Sequence, residues 1–451
     1  MRPELLSPAG TRKAMRYAFA YGADAVYAGQ PRYSLRVREN EFNKLDVMAD
    51  AVAEAHRLGK KFYIASNIAP HNAKVRSYMQ NMQPIIEMTP DALIMSDPGL
   101  IMMVRQHWPD VPIHLSVQAN AVNFATVRFW QSQGLTRVIL SRELSIPEIA
   151  EIQQECPEIE LEVFVHGALC IAYSGRCLLS GYLNHRDSNQ GACTNSCRWN
   201  YEVSEAVQTP EGDVRLKVLG DPQIASAGCD DSTDSALDKR MFVLEEKERP
   251  GELMPAFEDE HGTYIMNSRD LRAVEHVEQF VAMGLSSLKI EGRTKTHFYV
   301  ARTAQVYRRA IDDAVQGRSL DSDAMRSLDS LSNRGYTDGF YSRRPISELQ
   351  NYESGTSVSH QQQFVGELIQ RDGTELIVAV KNRFSVGDEL ELMTPTRNTS
   401  FSLAELHSRT GEAIDVAPGS GYVVRLRIPE ELLESMSDHD VEFGLLMRSI
   451  A

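Results

Sequence analysis

Short, nearly continuous apolar runs recur along the first part of the chain, at residues 3–7, 24–28, 61–67, 92–96, 113–118, 137–141 and 161–166. Runs of this length and uniformity suit strands buried on both faces of a parallel sheet. Between them, residues 12–21, 47–58 and 122–133 space their apolar positions as helices do, so strand and helix alternate. Two further runs come late, at 263–268 and 287–291. Repeated βα units of this number close into a barrel more readily than they extend an open sheet, and no Gly-rich dinucleotide fingerprint follows the first run. The pattern therefore predicts an α/β fold, a TIM-like (β/α)8 barrel over residues 1–345. Nine runs compete for eight places, so one late run is expected to be a hairpin or a peripheral strand. Residues 178–262 interrupt the alternation as an insertion whose Asp/Ser-rich middle reads as a flexible loop.

Beyond Arg344 the pattern changes. After a linker at 346–360, alternating runs at 364–370, 375–380, 388–393 and 422–428 are separated by Gly-Asp and Pro-Gly turns, which predicts a small antiparallel β-barrel domain over 361–451. It carries no catalytic signature and is expected either to bind RNA or to cover one face of the main domain.

Composition narrows the class. With 42% hydrophobic and 24% charged residues in 451, the chain is an ordinary globular protein, neither disordered nor fibrous. No apolar run approaches the roughly 18 residues of a membrane span, and Pro3, Glu4 and Pro8 break up the start where a signal peptide needs an apolar stretch, so a cytoplasmic location is expected. The net charge is −15, yet residues 1–200 hold 20 Lys+Arg against 19 Asp+Glu. The excess acid therefore lies in the second half, which excludes a nonspecific polyanion binder and leaves room for a local RNA-binding face.

Four of the six cysteines, Cys170, Cys177, Cys193 and Cys197, fall within 28 positions. In a reducing compartment, grouped thiols read as metal ligands rather than disulfides. Four thiolates satisfy either tetrahedral zinc or a 4Fe-4S cluster, and unligated thiols remain a third option. The spacing favours iron and sulfur, because structural zinc more often uses pairs two residues apart. Cys156 reads as a packing residue, and Cys229 lies in a polar stretch poorly suited to a preorganised ligand.

Glu162, Phe164, Gly167, Ala168, Leu169, Cys170, Gly175, Cys177, Leu179 and Ser180 form a motif that resembles the signature of peptidase family U32. The resemblance extends over residues 6–10, 25–29, 266–270 and 288–293. It implies the barrel with an appended β domain. In the longer bacterial branch it further implies an iron-sulfur, tRNA-modifying protein that hydroxylates the wobble uridine to 5-hydroxyuridine, the precursor of carboxymethoxyuridine. The implied cofactors are a 4Fe-4S cluster on Cys170, Cys177, Cys193 and Cys197 and prephenate as co-substrate. The implied partners are the tRNA anticodon loop and an electron donor or accessory subunit. Many family members place a cysteine after the Asp-Leu pair where this chain has Arg272, so the fourth ligand comes from elsewhere, Cys197 in preference to Cys229.

The family name raises a collagenase-like peptidase as the alternative, and a non-catalytic RNA-binding accessory factor is a third reading. The sequence has neither a His-Glu-x-x-His helix nor a Gly-x-Ser-x-Gly elbow. In a barrel, chemistry belongs at the carboxyl ends of the strands. His166, Lys289 and Glu291 are therefore the catalytic candidates. Arg36, Arg38, His71, Asn72, Gln118, Arg142 and Arg293 are the substrate-binding candidates, the guanidinium groups matching carboxylate or phosphate. Several have a plainer reading: Lys289 and Glu291 as an internal ion pair, His166 as a hydrogen-bonded core histidine, Arg36 and Arg38 as a solvated loop.

Overall fold

The computed structural model describes residues 2–35, 41–169, 269–333, 335–342 and 362–450, with the backbone strands between 201 and 263. Strands β1 (Glu4–Pro8), β2 (Ala25–Gly29), β3 (Lys61–Ser66), β4 (Ala92–Met95), β5 (Ile113–Leu115), β6 (Arg137–Ile139) and β7 (Glu160–Ala168) coincide with the seven early runs. Each pairs in parallel with the next. Helices α1 (Arg12–Ala20), α2 (Leu45–Arg57), α3 (Asn72–Glu87), α4 (Pro98–His107), α5 (Phe124–Ser132) and α6 (Ile146–Glu155) fill the intervals. Their starts are set locally: the Thr11, Asp97 and Asn123 side chains each accept from a backbone N–H in the first turn, and Ser145 with Glu148 forms a capping box. Cys156 caps the end of α6 and is buried, with its Sγ 3.6 Å from the Phe124 carbonyl, as a packing residue should be.

Within the insertion, β8 (Tyr201–Gln208), β9 (Val214–Leu216), β10 (Met241–Glu246), β11 (Leu253–Asp259) and β12 (Gly262–Thr263) make an antiparallel sheet. Residues 217–240, where the flexible loop is expected, lie outside the described residues. Then come β13 (Asp270–Arg272), helix α7 (Val277–Ala282), β14 (Ser287–Ile290), helices α8 (His297–Val315) and α9 (Ser322–Asp329), and β15 (Tyr336–Thr337). The competition for the eighth place is decided by pairing. Strand β14 lies parallel to both β7 and β1 and closes the barrel. The run at 263–268 does not supply a barrel strand from its described part, since Thr263 belongs to the insertion sheet. Instead β13, just beyond that run, lies antiparallel to the upper half of β7 and extends it past the barrel rim together with β15.

The β7–β14 pairing contains a bulge: Lys289 faces Phe164, but Ile290 faces His166. The extra residue switches the side of the sheet to which the end of β7 directs its side chains. Gly167, at φ +105°, follows the bulge, and a Cβ there would lie 2.5 Å from the Glu291 carbonyl oxygen, so only glycine lets β7 pass this close to the loop after β14.

The C-terminal region is an antiparallel seven-stranded sheet with a two-stranded accessory. It packs against α1 and α8, where Met393, Leu445 and Met447 enter the barrel's own apolar core. Polar contacts fix the fit. Tyr21 donates to the carbonyls of Met393 (3.1 Å) and Phe443 (2.8 Å), and the fully buried Arg302 reaches Glu391 at 2.7 Å. Glu367 meets Lys13 and His297 at 2.5 and 2.7 Å. Of the two roles expected from the sequence, covering one face of the main domain is therefore a property of the fold.

Candidate active site at the barrel mouth

At the carboxyl ends of the strands a cavity of about 90 Å³ opens into the barrel, lined by residues that include Tyr27, Asn67, Ser116, Gln118, Arg142, Phe164, Lys289, Glu291 and Arg293. That volume accommodates a few water molecules or one small polar ligand. A wider groove of about 610 Å³ lies at the opposite, amino-terminal end, lined by Glu4, Lys60, Lys61 and Glu160 among others. Its size does not make it the reaction site, because barrel chemistry is built on the βα loops and the amino-terminal face serves stability.

Below the mouth cavity the barrel interior is unusually polar. Glu162, fully buried, accepts from Lys289 Nζ at 2.9 Å and from an Arg137 amino group at 3.0 Å. Arg137 also donates to Glu4 at 2.7 Å, and Glu4 in turn accepts from the Tyr63 hydroxyl at 2.8 Å. Burial works to raise the Glu4 pKa, but the Arg137 charge and the hydrogen bonds from Arg137 and Tyr63 overcome it and hold the carboxyl below its ordinary range. Burial pushes the Lys289 amine down, against the pull of Glu162. The ammonium also lies 4.4 Å from the Tyr27 ring centre and 5.4 Å from that of Phe164, which shelter its charge. Lys289 is thus part of an internal ion pair, as the plainer reading has it, but its hydrogen-bonded partner is Glu162 rather than Glu291.

At the rim, Arg142 stacks on Phe164 with its guanidinium carbon 3.8 Å from the ring centre, and donates to the Ala168 carbonyl (2.8 Å) and to Glu291 (2.9 Å). Arg293 donates to the Ser34 hydroxyl (2.6 Å) and the Leu35 carbonyl (2.8 Å), tying the loop after β2 to the loop after β14. Asn67 donates to Ser116, which donates to Gln118. The mouth thus gathers two guanidinium groups, an ammonium and the single Glu291 carboxylate around amide and hydroxyl groups, an excess of cations suited to an anionic, oxygen-rich ligand.

The site residues expected from the sequence divide. Gln118, Arg142, Lys289, Glu291 and Arg293 come together on one cavity. His71 and Asn72 sit exposed at the start of α3, outside that cavity. Arg36 and Arg38, and all four clustered cysteines, lie outside the described residues. His166 is turned away by the β7 bulge and packs among Tyr299, Tyr307 and Tyr336, with ring centres 5.4 to 5.8 Å away. Tyr307 donates its hydroxyl proton to the Val165 carbonyl at 2.6 Å, so its 3.3 Å contact with His166 Nδ1 requires the imidazole to donate. Burial pushes the His166 pKa down to about 3 and keeps the ring neutral. This is the hydrogen-bonded core histidine of the plainer reading.

Sequence reasoning missed Tyr27, Asn67, Ser116 and Glu162. Asn67 closes the third apolar run and Ser116 lies near the end of the fifth, the positions where a barrel places functional groups, so their polarity there was the available signal. Among the described residues no group of three or more His, Cys, Asp or Glu side chains is arranged to hold a metal.

A closed parallel barrel with a cation-lined mouth, a cysteine-bearing segment that follows β7 directly after Leu169, and a β-sheet appendage defines the class. The chain belongs to peptidase family U32: residues 10–351 match that family, and residues 360–448 match the family's C-terminal domain. It is 59% identical to the tRNA hydroxylation protein P of Escherichia coli, over 100% of this chain and 97% of that protein. It is 56% identical to the protein of the same name from Haemophilus influenzae, over 100% of this chain and 96% of the other. More remotely, it is 27% identical to the 23S rRNA 5-hydroxycytidine C2501 synthase of Escherichia coli, across 91% of this chain and 55% of that protein.

Proposed function

We infer that this chain is a tRNA-hydroxylating enzyme, and we propose that it converts the wobble uridine to 5-hydroxyuridine at the barrel mouth. The observation that carries the reading is end-to-end similarity to tRNA hydroxylation proteins, combined with a mouth whose cations suit anionic ligands. The anticodon loop is a fitting partner, since its bases are single-stranded and cost little to unstack. Arg142, Arg293 and Lys289 offer the charge to hold a carboxylate co-substrate, for which prephenate is the proposal.

Cys170, Cys177, Cys193 and Cys197 supply the ligand number and chemistry of a 4Fe-4S cluster, which would contribute one-electron transfer. An electron-donating or accessory subunit completes that proposal. No described helix is long and apolar enough to cross a membrane. The peptidase alternative finds little support among the described residues: His166, the histidine among the catalytic candidates, is buried among three tyrosines and held by Tyr307 away from the mouth.

The test is nucleoside mass spectrometry of tRNA from a deletion strain with and without the gene restored. Loss and recovery of 5-hydroxyuridine derivatives supports the reading, and unchanged levels overturn it. For the cofactor, anaerobically purified protein is expected to be brown and to lose that absorption in Cys193→Ala; a colourless protein containing zinc contradicts it.

A further inference from the structure

We propose that Lys289 is an imine-forming lysine and that the mouth cavity takes a small 2-oxo acid, its carbonyl on Lys289 and its carboxylate on Arg142 and Arg293. The inference rests on the reading of the mouth as the reaction site and adds a covalent step to it.

A buried Lys–Glu pair is costly to desolvate, and a barrel interior at this layer is ordinarily filled by branched apolar side chains. A pair kept only for packing would be sealed. Here the layers differ: Glu162 is fully buried and does not line the cavity, whereas Lys289 does, between the Tyr27 and Phe164 rings. Lys289, itself only 3% exposed, therefore lies between a charged, closed interior and the cavity it lines.

Condensation at this site conserves charge. The ammonium and the ligand carbonyl give a protonated imine and water: the carbon–oxygen double bond is replaced by a carbon–nitrogen double bond, and two ammonium protons leave with the carbonyl oxygen. The cation persists on nitrogen, so Glu162 at 2.9 Å has a positive partner before and after. Glu162 can take up, in passage, the proton the ammonium must lose before the amine attacks, and return it as water leaves. No oxidant or reductant enters the step. Burial, which pushes the Lys289 amine down, eases that proton loss.

Recognition of the acid end follows from the rim. Arg142 is braced by Phe164 and Glu291, and Arg293 by Ser34 and Leu35, so both guanidinium groups are set in place before a ligand arrives. A ketone without a carboxylate lacks this anchor.

The experiment is reductive trapping on the full-length protein without tRNA, using pyruvate and cyanoborohydride and mapping modified lysines by peptide mass spectrometry. The expected result is a carboxyethyl adduct on Lys289 ahead of every exposed lysine, absent in Lys289→Arg, with acetone trapped roughly tenfold or more less efficiently, the loss of one or more charge-assisted hydrogen bonds. Labelling of exposed lysines with none at Lys289, or equal trapping of acetone and pyruvate at Lys289, overturns the proposal. Because the site is mapped in the unaltered protein, a misfolded variant does not decide the outcome. Failure here leaves the tRNA nucleoside result untouched, so the two readings fail separately.

Discussion

Arg142 and Glu291 meet at 2.9 Å across the barrel mouth although 149 residues separate them in the chain. The pair joins the loop after β6 to the loop after β14, and Arg142 adds a bond to the Ala168 carbonyl just before the cysteine-bearing segment. Lysine in place of Arg142 keeps the charge but loses the fork and the stack on Phe164. Arg142→Lys is expected to lower tRNA hydroxylation by roughly 10- to 100-fold, the worth of one charge-assisted hydrogen bond. Nucleoside mass spectrometry of complemented cells, with protein levels matched, checks it.

Glu162 neutralises two cations inside the barrel. Glu162→Gln leaves Lys289 and Arg137 facing each other without it, and removing one partner from a buried charge network costs about 3 to 5 kcal/mol. Denaturant unfolding is expected to show that loss as a lower midpoint with little change in slope.

His166 is held neutral, so the pH–rate profile is expected to carry no limb from it. Because its folded pKa of about 3 lies below the ordinary 6.5, the unfolded chain binds the extra proton, and this residue's contribution to stability falls as pH drops from 6.5 towards 3. His166→Gln, which can still donate to Tyr307, should flatten that fall in a pH series of thermal melts while leaving the shape of the pH–rate profile unchanged.

At the seam with the C-terminal sheet, burial works to raise the Glu367 pKa, but the close contacts with His297 and Lys13 hold it down to about 2. The ordinary value is 4.5, so the stability this contact supplies is present above that pH and is lost as pH falls towards 2. Acid titration should loosen the seam within that window. Glu367→Gln should remove the pH dependence there; a Gln variant with the same acid transition as the parent would contradict the assignment.

Much of the barrel was legible because its strands are buried on both faces and so appear as uninterrupted apolar runs; all seven early runs became strands. The eighth place was ambiguous because periodicity does not reveal pairing, and only the contacts of Ser287–Ile290 with both β1 and β7 decide it. The mouth was half legible. Arg142, Lys289, Glu291 and Arg293 sit near strand ends, and position alone points to them. His166 sits there as well, but a one-residue bulge is invisible in sequence and reverses where it faces. Glu162 was present in the family motif, yet nothing local marks it as the partner of a lysine 127 residues later.

Hydroxylation of tRNA at the barrel mouth, as proposed, requires both rim guanidinium groups. The most direct measurement is the 5-hydroxyuridine-derivative content of tRNA in cells whose sole copy of the protein carries Arg142→Gln and Arg293→Gln together, compared with cells carrying the parent protein. The expected result is a folded protein at normal abundance and tRNA depleted of the modification. Full modification in those cells would contradict it.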